Sequence, residues 1–398
     1  MDKLLSNRVK LLSVSVTIGI SKKSKELTSK GLNIINLAIG ESYFKTPKYI
    51  QNFTKFSIDL EKYFFYSPVP GYVDLRIAIS KKIKRDNKLF YKYNHIIVSN
   101  GAKQAIANVF LSLINFGDDV LIYLPCWPTY IDLVKLLGGN TVFVKGNIKK
   151  NFKVSIYQLY KSITKKTKII IFSSPCNPTG SVLSKYEVIE TSKVLKNSNI
   201  IVISDEIYEY VNFIGRNISI SSILFMRNYA VIINGFSKGF SMTGWRVGYS
   251  ISPLWLSKQC EKIQGQITSS ISSISQRSAF SAIEKDISFI LKINNRLLKN
   301  KNISISLLEK IKGLHFNNPK GSFYLFINVS FYFGKSYENF LINDSNDFCI
   351  FILKKIYISL VPGNKFGDSN YVRFSYSIPL ILLRKAIFRM KTILSKLK

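Results

Sequence analysis

Short apolar runs alternate with amphipathic segments over the first two thirds of the chain. The runs are five or six residues long and rich in isoleucine and valine, which is typical of strands buried on both faces of a parallel sheet. Strands are expected at 32–37, 95–99, 119–124, 141–145, 167–172, 200–204 and 229–233. This alternation predicts a mostly parallel, doubly wound α/β sheet whose ligands bind beyond the carboxyl ends of the strands.

The pattern changes after residue 253. Long amphipathic segments up to residue 311 predict helices, with a polar interruption at 264–275 that fits a loop or a bend. The chain from residue 313 onward has the pattern of an α+β unit. Strands are expected there at 322–329, 356–361 and 371–376.

These two patterns predict two domains. We expect a large domain over residues 45–290 and a smaller α+β domain built from residues 1–44 and 291–398. Within the first small-domain segment, residues 21–30 are predicted to form a helix. The apolar stretch 11–20 is interrupted by Ser and Thr, so we interpret it as the start of the folded domain.

The composition is that of a globular protein, with 46% hydrophobic and 20% charged residues. No uninterrupted apolar run reaches the roughly 20 residues that a membrane span requires. The four cysteines lack metal-binding or disulfide spacing, and His95 and His315 lie in no recognisable motif. We therefore expect a cytoplasmic protein with no metal site and no membrane partner.

The formal net charge of +34 raises the question of a nucleic-acid partner. The lysines, however, are spread through every segment and mixed with Ile, Asn, Phe and Tyr, all of which have AT-rich codons. A biased nucleotide composition explains this distribution without a binding surface. We expect no nucleic-acid partner, although a positive field favours the approach of anionic substrates.

Candidate chemistry is concentrated in residues 234–249, NGFSKGFSMTGWRVGY. Lys238 is flanked by Gly and Ser, so a bulky carbonyl compound has room to form an imine with its amine. Arg246 offers a planar fork of donors that suits a phosphate. Together they favour pyridoxal 5'-phosphate (PLP), and the alternative is a Gly/Ser-rich loop with two solvated cations.

Other candidates follow predicted strands. Ala102 and Lys103 lie in a small-residue turn before the helix predicted at 104–115, where unpaired amides and the helix dipole attract anions. Trp127 lies between prolines and either stacks on an aromatic ligand or belongs to the core. Asn177 precedes Pro178 in a turn from which its amide can point to a ligand.

Three further residues are conspicuous in their local patterns. Asp205 ends a buried strand, where an unpaired carboxylate is costly unless a cationic ring nitrogen faces it. Gly40 follows a strand and permits close approach of a ligand to the backbone, or is an ordinary turn glycine. Arg373 interrupts an apolar alternating run, so it faces either a ligand carboxylate or a structural salt bridge.

Jointly these residues resemble those of class I aminotransferases of PLP fold type I, in the aspartate aminotransferase-like branch. The resemblance covers nearly the whole chain and rests on eight motifs in the family's order. They are INLAIGESYFKTP, FYSPVPGYVDLR, SNGAKQA, PCWPTY, SSPCNPTG, VISDEIYE, GFSKGFSMTGWRVGY and VRFSY.

The resemblance implies that Lys238 holds PLP as an imine and moves the substrate's α-proton, while Asp205 pairs with the ring nitrogen. Tyr208 and Asn177 are implied to hydrogen-bond the phenolate oxygen of the ring, and Trp127 to stack on the ring.

The remaining implied roles concern the cofactor phosphate and the substrate. The phosphate is expected to contact the amides of Ala102 and Lys103, the side chains of Ser237 and Arg246, and Tyr66 of a second subunit in a homodimer. The α-carboxylate is expected to bind Arg373, with help from Trp127, Asn177 and the Gly40 backbone.

Within this resemblance, Lys103 favours acidic substrates because its side chain can meet a distal carboxylate. Aspartate with 2-oxoglutarate is the expected pair, and aromatic, prephenate or broad-range transamination is the alternative. The sequence departs from the family pattern at 41–44, which reads Glu-Ser-Tyr-Phe, and at Gly235, which replaces a hydroxyl residue. It also lacks an arginine in 264–275, where some relatives bind dicarboxylates. A non-catalytic, PLP-binding regulator is the competing class, but such proteins carry an N-terminal DNA-binding extension.

Overall fold

The computed structural model describes residues 4–12, 24, 26–285 and 287–398. Of the helix expected at 21–30, residues 26–29 are helical, and residues 21–23 and 25 lie outside the described part. The apolar stretch expected to start the folded domain also lies mostly outside it, over 13–20.

Every strand expected from the pattern is present, with boundaries that differ by at most three residues, and three further strands were not expected. In chain order, the strands are β1 Ile35–Asn36, β2 Ile96–Ser99, β3 Asp119–Leu124, β4 Asn140–Lys145, β5 Thr167–Ser173, β6 Ile201–Asp205, β7 Ala230–Gly235, β8 Gly248–Ile251, β9 Tyr324–Asn328, β10 Ser336–Tyr337, β11 Phe340–Leu341, β12 Ile358–Ser359, β13 Val361–Pro362 and β14 Tyr371–Ser375.

The described helices lie mostly between these strands. Two of them begin with capping boxes, in which Ser155 and Ser184 exchange hydrogen bonds with the third helical residue. The α-helices are Asn7–Lys10, Lys48–Asp59, Val73–Asn87, Gly101–Leu113, Thr129–Leu136, Ile156–Ser162, Lys185–Val194, Leu254–Ile267, Ser273–Glu284, Ser288–Leu308, Ser345–Ile356 and Leu380–Leu394. No helix in the described ranges is long and apolar enough to cross a membrane.

The main sheet has seven strands in the order β2-β8-β7-β6-β5-β3-β4. Only β8 runs antiparallel to its neighbours, so the expected mostly parallel sheet is confirmed. The series of strands was expected to end at β7, and this expectation was wrong. β8 was missed because it is four residues long and begins with Gly248, which carries no strand signal.

Both faces of the sheet are covered by helices, which explains the isoleucine-rich strands. Ile169 and Ile171 pack on one face with Val109 of helix Gly101–Leu113. Ile170 points to the opposite face and packs with Val188 of helix Lys185–Val194. Successive strand residues alternate between faces, so a strand buried on both must be apolar throughout.

The C-terminal part forms a smaller α+β unit. Its three-stranded antiparallel sheet has the order β13-β14-β9, and β1 pairs with β12 in parallel. The strand expected at 356–361 is divided between β12 and β13, and the hairpin of β10 and β11 was not predicted. Helix Ser288–Leu308 contributes Ile290 to a core of the large sheet and Ile293 to the core of this unit. The expected domain boundary at residues 290 and 291 stays a prediction.

Candidate functional site

A cavity of about 380 Å³ lies beyond the carboxyl ends of β3, β5, β6 and β7. Polar side chains reach it from the turns that follow these strands, as the sheet topology predicts. It brings together all but one of the site residues expected from the sequence, namely Gly40, Ala102, Lys103, Trp127, Asn177, Asp205, Tyr208, Ser237, Lys238, Arg246 and Arg373.

Lys238 lies three residues beyond the end of β7. Its Nζ donates a hydrogen bond to the backbone oxygen of Gly40 at 2.6 Å and lies 5.8 Å from the centre of the Tyr208 ring. Burial lowers the pKa of Lys238 to about 8, with a further contribution from the positive charge of Arg373. A substantial fraction of this amine is therefore neutral near pH 8 and able to attack a carbonyl carbon.

Asp205 is the last residue of β6 and is 3% exposed. Burial raises the pKa of this carboxyl group to about 6, while hydrogen bonds and the charge of Lys238 oppose the rise. The hydroxyl of Tyr130 donates to Oδ2 at 2.5 Å, and the amide of Ile207 donates to Oδ1 at 3.1 Å. No cationic side chain of the described residues forms an ion pair with Asp205, so the carboxylate is available to a cationic ligand group.

An anion cradle is formed where helix Gly101–Leu113 begins. Its first turn contains Ala102, and the guanidinium of Arg246 packs so closely that a Cβ on Gly101 would lie 2.6 Å from Nη2. A Cβ on Gly248 of β8 would lie 2.2 Å from the backbone nitrogen of Ala102. Because Gly101 and Gly248 have no side chains, β8, the start of the helix and the guanidinium of Arg246 can lie close together. Ser237 adds a hydroxyl to the lining of the same cavity.

The absence of a hydroxyl side chain at residue 235 also has a steric cause. A Cβ on Gly235 would lie 2.8 Å from the Cα of Gly248 in the neighbouring strand. The close pairing of β7 with β8 therefore leaves no room for a side chain at this position.

Arg373 lies in the middle of β14 and is 4% exposed. Its Nη1 donates to Oδ1 of Asn177 at 3.1 Å, and its Nη2 donates to the backbone oxygen of Ala38 at 2.8 Å. Nε has no hydrogen-bond partner. The structural salt bridge considered in the sequence analysis is absent from the described residues, so the positive charge faces the cavity without a carboxylate.

Aromatic rings enclose the guanidinium of Arg373. Its central carbon lies 4.4 Å from the ring centre of Tyr324 and 5.1 Å from that of Phe366. The Tyr324 hydroxyl also lies 2.9 Å from the hydroxyl of Tyr208. Burial raises the pKa of Tyr208 well above its ordinary value, so this phenol is a hydrogen-bond donor at neutral pH.

Trp127 and Lys103 form another part of the cavity lining. The ammonium of Lys103 lies 5.1 Å from the ring centre of Trp127, and the edge of that ring contacts Tyr130 at a centroid distance of 5.7 Å. Burial lowers the pKa of Lys103, and the charge of Arg246 lowers it further. This lysine therefore lies partly desolvated inside the cavity rather than in bulk water.

Tyr66 is the expected site residue that the cavity does not include. Its side chain is 94% exposed and lies outside the lining of the cavity in its own chain. Its expected contact is with the phosphate of a second subunit, which a single chain does not test. That contact stays a prediction.

Several lining residues were not found from the sequence. Tyr130 had a signal, because it lies three residues after Trp127 in the PCWPTY motif and in the first turn of the next helix. Tyr324 and Phe366 had none, since an aromatic residue in an apolar run is read as core. The cavity also includes two charged residues that the sequence analysis did not single out, Asp132 and Lys365.

Within residues 4–12, 24, 26–285 and 287–398, no three His, Cys, Asp or Glu side chains are placed to hold a metal ion. The four cysteines are free and buried.

Comparisons with known proteins agree with this geometry. The family model described as aminotransferase class I and II matches residues 33–387. A probable aspartate/prephenate aminotransferase of Rickettsia conorii is 38% identical over 98% of each chain. The aspartate aminotransferase of Bacillus subtilis is 35% identical over 98% of this chain and 99% of its own.

Solved structures show the same fold. The crystal structure of the aspartate aminotransferase from Rhizobium meliloti matches with a TM-score of 0.94 at 29% identity, over 99% of both chains. An aspartate aminotransferase from Thermotoga maritima matches with a TM-score of 0.90 at 33% identity, over 98% of this chain and 100% of its own. The expected fold type I is thus confirmed. The chain belongs to the class I and II aminotransferase family and is of the aspartate aminotransferase type.

Proposed function

We propose that this aminotransferase uses PLP to transfer the amino group of aspartate to 2-oxoglutarate. The observation that carries the proposal is the convergence of Lys238, Asp205 and Arg373 on one cavity. Such a transfer requires three groups. They are an amine with a lowered pKa, a buried carboxylate without a cation and a guanidinium without a carboxylate.

The residues of the cavity fit PLP. The convergence of Gly101, Arg246 and Gly248 at a helix N-terminus provides a cradle for its phosphate. The buried Asp205 offers a partner for a protonated ring nitrogen, and Lys238 offers an amine for covalent attachment.

When bound, PLP supplies an electron-accepting ring that stabilises negative charge at the α-carbon of an amino acid. The chain contributes the positioning. Asp205 would hold the proton on the ring nitrogen, and Tyr208 and Asn177 would donate hydrogen bonds to the phenolate oxygen. Trp127 would cover the ring face, while Ser237 and the amides of Ala102 and Lys103 would join Arg246 on the phosphate.

The chain's own amine moves the proton. The pKa of Lys238, lowered to about 8, lies close to physiological pH, which suits a group that must both accept and return a proton. Arg373 binds the α-carboxylate through its fork of donors, and its hydrogen bond to Asn177 orients that fork. The fixed carboxylate in turn orients the bond that loses its proton. The backbone of Gly40 limits the space on this side of the substrate.

The proposed donor rests on Lys103, whose ammonium lies within the cavity and can meet a second carboxylate. Relatives named aspartate aminotransferase and aspartate/prephenate aminotransferase support both an acidic donor and the alternative acceptor prephenate. Aromatic or broad-range transamination is the remaining alternative, since no arginine is present in 264–275.

We further propose a cytoplasmic homodimer with shared sites. The exposed position of Tyr66 supports a role for its hydroxyl in the site of a second copy. Four cysteines without disulfides support a reducing compartment. Two domains, over 45–290 and over 1–44 with 291–398, are proposed to meet at the cavity, since Arg373 reaches it from the smaller unit.

One set of spectra tests the proposal. Purified protein supplied with PLP is expected to gain a near-ultraviolet or visible absorbance band, and aspartate is expected to convert that band to the pyridoxamine form. Lys238→Ala is expected to abolish turnover, with the exposed Lys385→Ala as control. Full turnover by Lys238→Ala would refute the assignment. Rates with aspartate, phenylalanine and prephenate, compared in wild type and Lys103→Ala, distinguish the substrate alternatives.

A further inference from the structure

The cavity contains more positive charge than the proposed cofactor and an amino acid's α-carboxylate require. Its lining has five cationic side chains and two carboxylates, namely Lys103, Lys238, Arg246, Lys365, Arg373, Asp132 and Asp205. Under the proposed function, Arg246 faces the phosphate, Arg373 faces the α-carboxylate and Lys238 is covalently attached. Lys103 and Lys365 have no partner in this assignment, and the single negative charge of Asp132 can offset only one of their two positive charges.

Lys365 belongs to a tightly anchored turn. It lies in the short 3₁₀ helix Gly363–Phe366 that connects β13 with β14. A Cβ on Gly363 would lie 2.3 Å from the backbone oxygens of Asp368 and Tyr371, so the turn is closely packed. Phe366 is 1% exposed and contacts the guanidinium of Arg373.

The same turn is tied to the segment that carries Trp127. The backbone oxygen of Phe366 accepts a hydrogen bond from the amide of Cys126 at 3.0 Å, one residue before Trp127. The backbone of Lys365 is therefore held between the proposed α-carboxylate site and the Trp127 segment. Its half-buried side chain lines the cavity from the smaller unit, whereas Lys103 enters it from helix Gly101–Leu113.

No carboxylate of the described residues neutralises Lys365. The nearby Asp368 forms its ion pair with Lys145, at 2.9 Å between Nζ and Oδ2. Lys103 likewise makes a contact with the Trp127 ring rather than an ion pair. Lys103 and Lys365 therefore line different parts of one cavity, and neither ammonium group has an ion pair within the described part of the chain. An anionic ligand group between them can interact with both.

We propose that Lys365 is a specificity-determining residue that binds, together with Lys103, the distal carboxylate of dicarboxylic substrates. This inference rests on the proposed function. A carboxylate accepts several hydrogen bonds at once, so it can join both ammonium groups. A monocarboxylic amino acid of similar size leaves both ammonium groups without that partner, and it is disfavoured for this reason.

The test compares three variants of the PLP-loaded enzyme. Lys365→Met removes the charge at similar length, Lys365→Arg keeps it, and Lys385→Met on helix Leu380–Leu394 is the exposed control. Lys365→Met is expected to lower the ratio of kcat/KM for aspartate over that for alanine about 10-fold or more, as loss of a charged hydrogen bond predicts. Lys365→Arg is expected to restore most of that ratio. An unchanged ratio in Lys365→Met would overturn the proposal.

Binding gives an independent readout. Succinate and butyrate have the same number of carbons and differ in the second carboxylate, so calorimetry with each isolates that group. Lys365→Met is expected to weaken the binding of succinate relative to that of butyrate about 10-fold. Equal weakening of the binding of both ligands would also overturn the proposal. Failure of the proposed function is distinguishable, because it appears in the wild type as a missing cofactor band or as no amino transfer from any amino acid.

Discussion

The hydroxyl of Tyr130 donates a hydrogen bond to Oδ2 of Asp205 at 2.5 Å, inside a fully buried part of the cavity. Tyr130 lies in the first turn of the helix after β3, and Asp205 ends β6. Because β5 lies between β3 and β6 in the sheet, the contact joins segments that follow non-adjacent strands. This bond and the Ile207 amide counteract the effect of burial on the pKa of Asp205. Tyr130 therefore acts as a positioning residue that keeps the carboxylate charged.

Tyr130→Phe is expected to raise the pKa of Asp205, because burial remains and one stabilising donor is lost. The proposed role of Asp205 requires its charged form. We expect kcat to fall about 10-fold and the acid limb of the kcat–pH profile to move upward by about one unit. Tyr160→Phe, at a tyrosine that is 66% exposed, is the control. An acid limb at the wild-type pH would contradict this role.

The rate at which the cofactor-free protein captures PLP is expected to rise as the pH increases from 6 to 9. Only the neutral amine attacks the carbonyl, and burial lowers the pKa of Lys238 to about 8 from an ordinary value of 10.5. The neutral fraction thus increases through pH 8 rather than through pH 10.5. Stopped-flow absorbance measures the capture rate at each pH, and a midpoint near 10 would show that the amine is not perturbed.

The positions of Asp205 and Lys238 were largely predictable, because a residue at the carboxyl end of a buried parallel strand has only one edge of the sheet to occupy. Asp205, Asn177 and Lys238 were found in this way. Tyr130 and Lys365 were not, since their importance comes from residues far away in the chain. The contact between Tyr130 and Asp205 depends on strand order, which the alternation of patterns leaves undetermined.

Arg373→Gln is expected to lower kcat/KM about 100-fold for every amino acid donor, whatever its side chain. The substitution removes the positive charge that is proposed to bind the α-carboxylate, and loss of a buried charged pair costs about 3 kcal/mol. Arg384→Gln, at an exposed arginine on helix Leu380–Leu394, is the control. Steady-state rates with aspartate and alanine show whether kcat/KM falls equally for both donors. A loss confined to aspartate would instead place the distal carboxylate at Arg373.

A buried ion pair outside the cavity lining is expected to contribute to stability. The side chains of Lys82 and Glu209 are 2% and 5% exposed and form a direct salt bridge, and Asp86 lies 3.8 Å from the same ammonium. Glu209→Ala is expected to lower the free energy of unfolding by about 3–5 kcal/mol, because it leaves a buried ammonium with one weak partner.

The matched control is the exposed pair of Lys193 and Glu190, whose side chains are 65% and 21% exposed. Glu190→Ala is expected to have a much smaller effect, since water screens this pair. Chemical denaturation of both variants gives the comparison. The double variant Lys82→Met with Glu209→Met is expected to recover part of the loss, because it removes both buried charges together. Equal effects of Glu209→Ala and Glu190→Ala would mean that burial does not strengthen the Lys82–Glu209 pair.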